Sequence, residues 1–186
     1  MLPKPSLSEP DMPAVITRGA FSAKAFGFTG KTGGGAVGTV GIFALGYISC
    51  VGASTTRNKY TYACDTNGTA AAASAASRYG SAAGNSTRGI FALGYISNAA
   101  STTRDKYTYA CDTNGTAAAA SAASYVGSAA GNSTRGIFAL GYISCAASTT
   151  RNKYTYACDT NGSAAAASAA SYYGSAASNG ITGVNV

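Results

Sequence analysis

Histidine and tryptophan are missing from all 186 residues, acidic side chains number 6, and the 4 prolines all fall within the first 13 positions. Each absence removes a class of function. Without histidine there is no Ser-His-Asp or Cys-His arrangement for nucleophilic catalysis. With no Cys-x-x-Cys pair either, no zinc site of the usual kind can be assembled. The carboxylates are Glu9, Asp11, Asp65, Asp105, Asp112 and Asp159. Asp65, Asp112 and Asp159 share one position in a recurring Asp-Thr-Asn-Gly, where an Asp commonly hydrogen-bonds its own backbone. Those loops offer calcium one carboxylate apiece, which is thin for a cation that takes several oxygen ligands. No enzyme, no metal and no cofactor is expected. No apolar run reaches the ~18 residues of a membrane span, and Met1 to Pro13 has no apolar core before a cleavage site, so no signal peptide is expected.

What the chain does contain is repetition. Gly-Ile-Phe-Ala-Leu-Gly-Tyr-Ile-Ser begins at 41, 89 and 136, spacings of 48 and 47 residues. Between copies stand Ser-Thr-Thr-Arg-(Asn/Asp)-Lys-Tyr-Thr-Tyr-Ala-Cys-Asp-Thr-Asn-Gly, an Ala/Ser tract, and Gly-Ser-Ala-Ala. Periods of this size mark a solenoid, a propeller or an array. The expected organisation is an extended Pro-rich arm over 1–17, a degenerate or capping unit with a Gly-rich link over 18–40, and three tandem repeats over 41–88, 89–135 and 136–186. Arg18-Gly19-Ala20-Phe21 echoes Arg88-Gly89-Ile90-Phe91, as an atypical terminal repeat would. Much of the apolar content is Ala, which removes little area from water on burial. A single copy therefore has a thin core and is expected to share it with other subunits.

The net charge of +7 is spread evenly rather than gathered in a basic run, and no specific nucleic-acid partner is expected. Ile42 to Leu45 reads as a buried strand between glycines. Lys59 to Cys64 reads as a strand with Tyr60 and Tyr62 on one face. Asn67-Gly68, Asn114-Gly115 and Asn161-Gly162 predict a hairpin turn in every repeat. The Ala/Ser tract after it suits a helix by propensity, yet it has no stripe of large residues, and the returning strand of a hairpin is preferred. A last strand is expected near Tyr79 to Ala83. Four short strands in about 47 residues is the size of a propeller blade.

Ser-Thr-Arg-Gly-Ile-Phe-Ala-Leu-Gly-Tyr, Lys-Tyr-Thr-Tyr-Ala, the Thr-Asn-Gly turn and the Ala-Ser-Arg/Tyr-Tyr segment resemble the kelch-like β-propeller repeats of tail and virion structural proteins of tailed bacteriophages. Gly89-Ile90-Phe91, Tyr107-Thr108-Tyr109 and Ser77-Arg78-Tyr79 carry the resemblance, which covers 41 to about 177; Ala-Leu stands where those repeats have Gly-Gly. It implies an all-β repeat fold of about three four-stranded blades, completed by oligomerisation because propellers have typically four to eight. It also implies a structural role in the virion, with homo-oligomer and other virion proteins as partners. The alternative is a lectin-like propeller for a host-surface glycan, with Tyr60, Tyr107, Tyr154, Arg57, Arg104 and Arg151 lining equivalent pockets. Of the five cysteines, Cys50 with Cys64 and Cys145 with Cys158 are candidate disulfides, leaving Cys111; buried reduced thiols are the other reading. Asn85-Ser86-Thr87 and Asn132-Ser133-Thr134 fit the N-glycosylation pattern.

Overall fold

The computed structural model describes residues 39–178 and the backbone of 183–185; the arm over 1–17 and nearly all of the unit over 18–40 lie outside the described residues. The described chain is all-β, without a helix. The first repeat supplies β1 (Val40–Ala44), β2 (Tyr47–Ile48), β3 (Gly52–Ala53), β4 (Arg57–Thr61), β5 (Thr66–Ala70), β6 (Ser77–Arg78) and β7 (Ser81–Gly84). The second supplies β8 (Arg88–Ala92), β9 (Tyr95–Ile96), β10 (Ala99–Ala100), β11 (Arg104–Thr108), β12 (Thr113–Thr116) and β13 (Ser128–Gly131). The third supplies β14 (Arg135–Ala139), β15 (Tyr142–Ile143), β16 (Ala146–Ala147), β17 (Arg151–Thr155), β18 (Thr160–Ser163), β19 (Ala176–Ser178) and β20 (Gly183–Asn185).

The longer strands build antiparallel sheets that cross the sequence repeats. One has the order β12-β11-β8-β7 and another β13-β14-β17-β18, so the last strand of each repeat pairs with the first strand of the next. The three strands β1-β4-β5 correspond to them, with Tyr60 opposite Gly41, Tyr107 opposite Gly89 and Tyr154 opposite Gly136 in the same register. Successive sheets pack on one another: β7 lies against β13 and β14, and β13 against β19.

The hairpin is present, but its turn falls at 62–65, 109–112 and 156–159, ahead of Asn-Gly. Asn67 and Gly68 sit inside β5, paired with Tyr60 and Lys59. The reason lies at the aspartate. Asp65, Asp112 and Asp159 take the left-handed conformation, with φ of 50°, 49° and 51°, which Asp tolerates better than most residues. Each carboxylate accepts the hydroxyl of Tyr60, Tyr107 or Tyr154, fixing the loop one residue before the next strand starts.

The Ala/Ser tract is not helical, and in the first repeat only its two ends are strand. β5 ends at Ala70 and 71–76 continue without regular pairing, while the Ala73 amide donates to Thr55 O at 2.8 Å. Small side chains let the next repeat come close. Ala70, Ala71, Ala73 and Ala75 of the first repeat pack on Phe91, Leu93 and Tyr107 of the second. At the next junction Phe138, Leu140, Tyr154 and Tyr156 are buried with Ile90, Ala83 and Ala117. Both apolar clusters thus lie between repeats rather than inside one, as in folds whose units cannot bury their own faces.

Candidate functional site

Strand alternation sends neighbouring side chains to opposite faces of a sheet. In β11 this puts Arg104 and Lys106 toward the third repeat, and Asp105 and Tyr107 toward the first. Every repeat therefore carries donors on one face and acceptors on the other. At the first junction, Arg57 donates from Nη2 to Asp105 Oδ2 at 2.8 Å and from Nη1 to Asn114 Oδ1 at 2.7 Å. Its guanidinium lies 4.4 Å from the Phe91 ring centroid, so one planar group is held by hydrogen bonds at its edge and an aromatic face. Asp105 also accepts the Ser74 amide at 2.8 Å and hydroxyl at 2.6 Å. Lys59 donates to Asp112 Oδ2 at 2.8 Å, while Asp112 Oδ1 accepts the Ala71 amide at 2.9 Å.

The second junction repeats this with one substitution. Arg104 donates to Asn161 at 2.8 Å and to Asn152 at 3.2 Å, above the Phe138 ring at 4.5 Å. Lys106 bonds Asp159, which also accepts the Ala118 amide. Asn152 stands where Asp105 stood: its carbonyl oxygen accepts the Ser121 amide at 2.9 Å, and its Nδ2 donates to Ser121 Oγ at 2.8 Å. The serine hydroxyl simply reverses its role between the junctions.

Burial governs the ionisation of these groups. Arg57 and Arg104 are 1% and 0% exposed. Desolvation pulls the Arg104 guanidinium down to about 10, still charged at neutral pH; desolvation lowers Arg57 too, opposed by the Asp105 carboxylate. The hydrogen bond from Lys59, with those from the Tyr107 hydroxyl and the Ala71 amide, holds the Asp112 carboxyl at about 2. Burial alone would raise Asp159, but Lys106, Tyr154 and the Ala118 amide outweigh it and keep it below the ordinary value. A depressed carboxylate contributes stability that is complete above its unfolded pKa of about 4 and is lost as pH falls through the folded value. The junctions should therefore loosen between about pH 4 and pH 2, which circular dichroism melts across that window would register as a falling midpoint.

A second feature runs along the surface. Tyr95, Tyr125, Tyr142 and Tyr172 form a row of ring contacts 5.1, 5.2 and 5.5 Å apart. At its first end Arg78 occupies the position of Tyr125 and Tyr172, placing its guanidinium 5.7 Å from the Tyr47 ring and 5.1 Å from Tyr95. Backbone bonds run beside the row, from the Val126 amide to Tyr79 O and from the Tyr173 amide to Val126 O, both 3.0 Å.

The residues expected to line glycan pockets sit elsewhere. Tyr107 and Tyr154 are 0% exposed, Arg57 and Arg104 are sealed in the junctions, and no sugar reaches them. Tyr60 and Arg151, at the two ends of the series, are partly buried. The disulfide expectation is corrected as well: Cys50, Cys64, Cys145 and Cys158 are free and exposed, as is Cys111. Cys50 lies beyond the Arg57 end of β4 and Cys64 beyond its Thr61 end; the pair Cys145 and Cys158 flanks β17 in the same way. Five strand residues span roughly 13 Å, far more than the ~6 Å Cα separation a disulfide bridges. All five thiols should react with a thiol reagent without denaturant; protection of Cys64 or Cys158 until unfolding would contradict this placement.

Among the described residues no group of three Cys, Asp or Glu is placed to hold a metal. Both Asp112 oxygens are already bonded, Oδ2 by an ammonium and Oδ1 by a hydroxyl and an amide. Asn85 and Asn132 make turns, each carbonyl oxygen accepting the amides two and three residues on. No helix among the described residues is long and apolar enough to cross a membrane. The chain matches no protein-family model and no curated protein.

Proposed function

We propose that this chain is a non-enzymatic structural component of a virion, of the tailed-bacteriophage kind its repeats resemble, assembling with other copies and with other virion proteins. The observation that carries the reading is the repeated buried junction. Arg57, Arg104, Lys59 and Lys106, cations that a ligand-binding site could have used, are committed to joining one repeat to the next. The antiparallel order β12-β11-β8-β7 suits a propeller blade, and on this reading chains supply further blades to one another. The test is fractionation of particles from the source by density gradient, with peptide mass spectrometry of each fraction. Peptides of this chain should peak with the particles; their confinement to free protein would overturn the assignment.

A second reading has its own observation. A surface groove of about 390 Å³ is lined by Tyr47, Arg78, Tyr95 and Asn98, and it presents aromatic faces beside a guanidinium, which suits a glycan. Binding on a glycan array that Arg78→Ala and Tyr47→Ala abolish would favour adhesion over a purely structural role.

A further inference from the structure

We infer that the first-repeat face formed by Phe43, Leu45, Asn58, Asp65 and Asn67 docks on the third-repeat face of a second copy of this chain, reproducing the junctions between repeats. The inference rests on the assembly reading above and names its contact.

Equivalent residues show what the first face is missing. Phe91 and Leu93 are 6% and 3% exposed, and Phe138 and Leu140 are 1% and 4%, each pair covered by the preceding repeat. Phe43 and Leu45 hold the same positions and are 54% and 40% exposed. Tyr62 is 58% exposed where its counterpart Tyr156 is 2%. The polar acceptors are also in place. Asn58, Asp65 and Asn67 match Asn152, Asp159 and Asn161, the set that receives Arg104 and Lys106. Asp65 already accepts the Tyr60 hydroxyl, as Asp159 accepts that of Tyr154, so its carboxylate is oriented before any lysine arrives.

The far face of the third repeat carries the complementary set. Arg151 and Lys153 stand at the positions of Arg104 and Lys106, and Ala165 and Ser168 at those of Ala118 and Ser121. The acceptor on the first repeat is Asn58, so the contact between copies copies the second internal junction and needs no buried carboxylate. Backbone complementarity points the same way. Gly94 and Gly141 lie against the carbonyls of Tyr79 and Val126, and Gly46 awaits the third member of that series, Tyr173, which is 69% exposed. A face that differs from the one it meets gives a heterologous contact, which closes as a ring or runs on as a filament.

Sedimentation velocity of the full chain over a concentration series tests this. The wild type should grow in mass with concentration, and Phe43→Ser and Gly46→Ala should each hold it monomeric with an unchanged circular dichroism spectrum. Asp65→Lys alone and Lys153→Asp alone each set like charges face to face and should weaken association roughly tenfold or more. Mixed in equal amounts, those two variants pair correctly at both kinds of contact and should assemble again, a rescue that misfolding cannot produce. A wild type that stays monomeric at every concentration, or an assembly indifferent to all four substitutions, overturns the inference, the face then having some other occupant. Such a monomer still found in particle fractions would leave the structural role standing and reject only this contact.

Discussion

Asp105→Ala is expected to destabilise the chain by about 3–5 kcal/mol, the range for removing one partner of a buried ion pair. Asp105→Asn is expected to cost no more than about 1 kcal/mol. The contrast follows from comparing the two junctions. Asp105 accepts from Arg57, from the Ser74 amide and hydroxyl, and from Asn114. Removing it strands a guanidinium that is 1% exposed together with the amide of Ser74. Asparagine at the same place keeps a carbonyl oxygen for the arginine and the amide, and meets the serine hydroxyl as a donor, which is the arrangement at Asn152. The Phe91 ring continues to cover the guanidinium in both variants. Urea unfolding followed by tyrosine fluorescence separates the cases. Equal losses for both substitutions would mean that the negative charge, and not the hydrogen-bond set, holds the first junction.

The same comparison explains what could be read in the sequence. The period of the repeat and the β-rich stretch at Lys59 to Thr61 are local signals, and the all-β fold with an antiparallel hairpin in each repeat was legible from them. The position of the turn was not, because Asn-Gly is only a preference of two residues, while the bond from Tyr107 to Asp112 joins residues on both sides of the loop and overrides it. The pocket alternative for Arg57, Arg104, Tyr107 and Tyr154, as against packing, is set aside by their burial for a related reason. An Arg and a Tyr three residues apart lie on opposite faces of a strand, so they cannot line one pocket. A usable signal was present: Arg and Lys two residues apart, with Asp or Asn between them and Asp again six residues after the Lys, sends donors to one face and acceptors to the other. That pattern within a repeat is what identical units need in order to stack. The cysteine pairing failed because it required Ser49 and Cys64 at the same end of a strand pair, whereas the antiparallel register of β1 with β4 puts them at opposite ends.

Gly94→Ala is expected to be as damaging as Asp105→Ala, and Gly46→Ala far milder, although the two glycines share one sequence context. Both have positive φ, 71° and 66°, so alanine at either position carries the strain of a left-handed residue, about 1–2 kcal/mol. Only Gly94 adds a collision. A Cβ there would stand 2.4 Å from the Tyr79 carbonyl oxygen and 2.9 Å from that of Arg78, whereas at Gly46 nothing among the described residues lies within 4 Å. The Tyr79 carbonyl cannot withdraw without losing the Val126 amide it accepts at 3.0 Å, which ties the first repeat to the second. Gly94→Ala should therefore cost about 2–5 kcal/mol, since an overpacked contact adds roughly 1–3 kcal/mol to the conformational strain. Gly141→Ala should match it, its Cβ meeting Val126 O at 2.6 Å. Denaturation midpoints of the three variants, measured at a concentration where the chain is dispersed, give the comparison. If Gly46→Ala falls as far as Gly94→Ala, strain at the glycine dominates and the closeness of one repeat to the next is not what demands it. If the order holds, the glycine of Ala-Leu-Gly-Tyr is required by the neighbouring repeat, and Gly46 keeps it for a neighbour not found among the described residues.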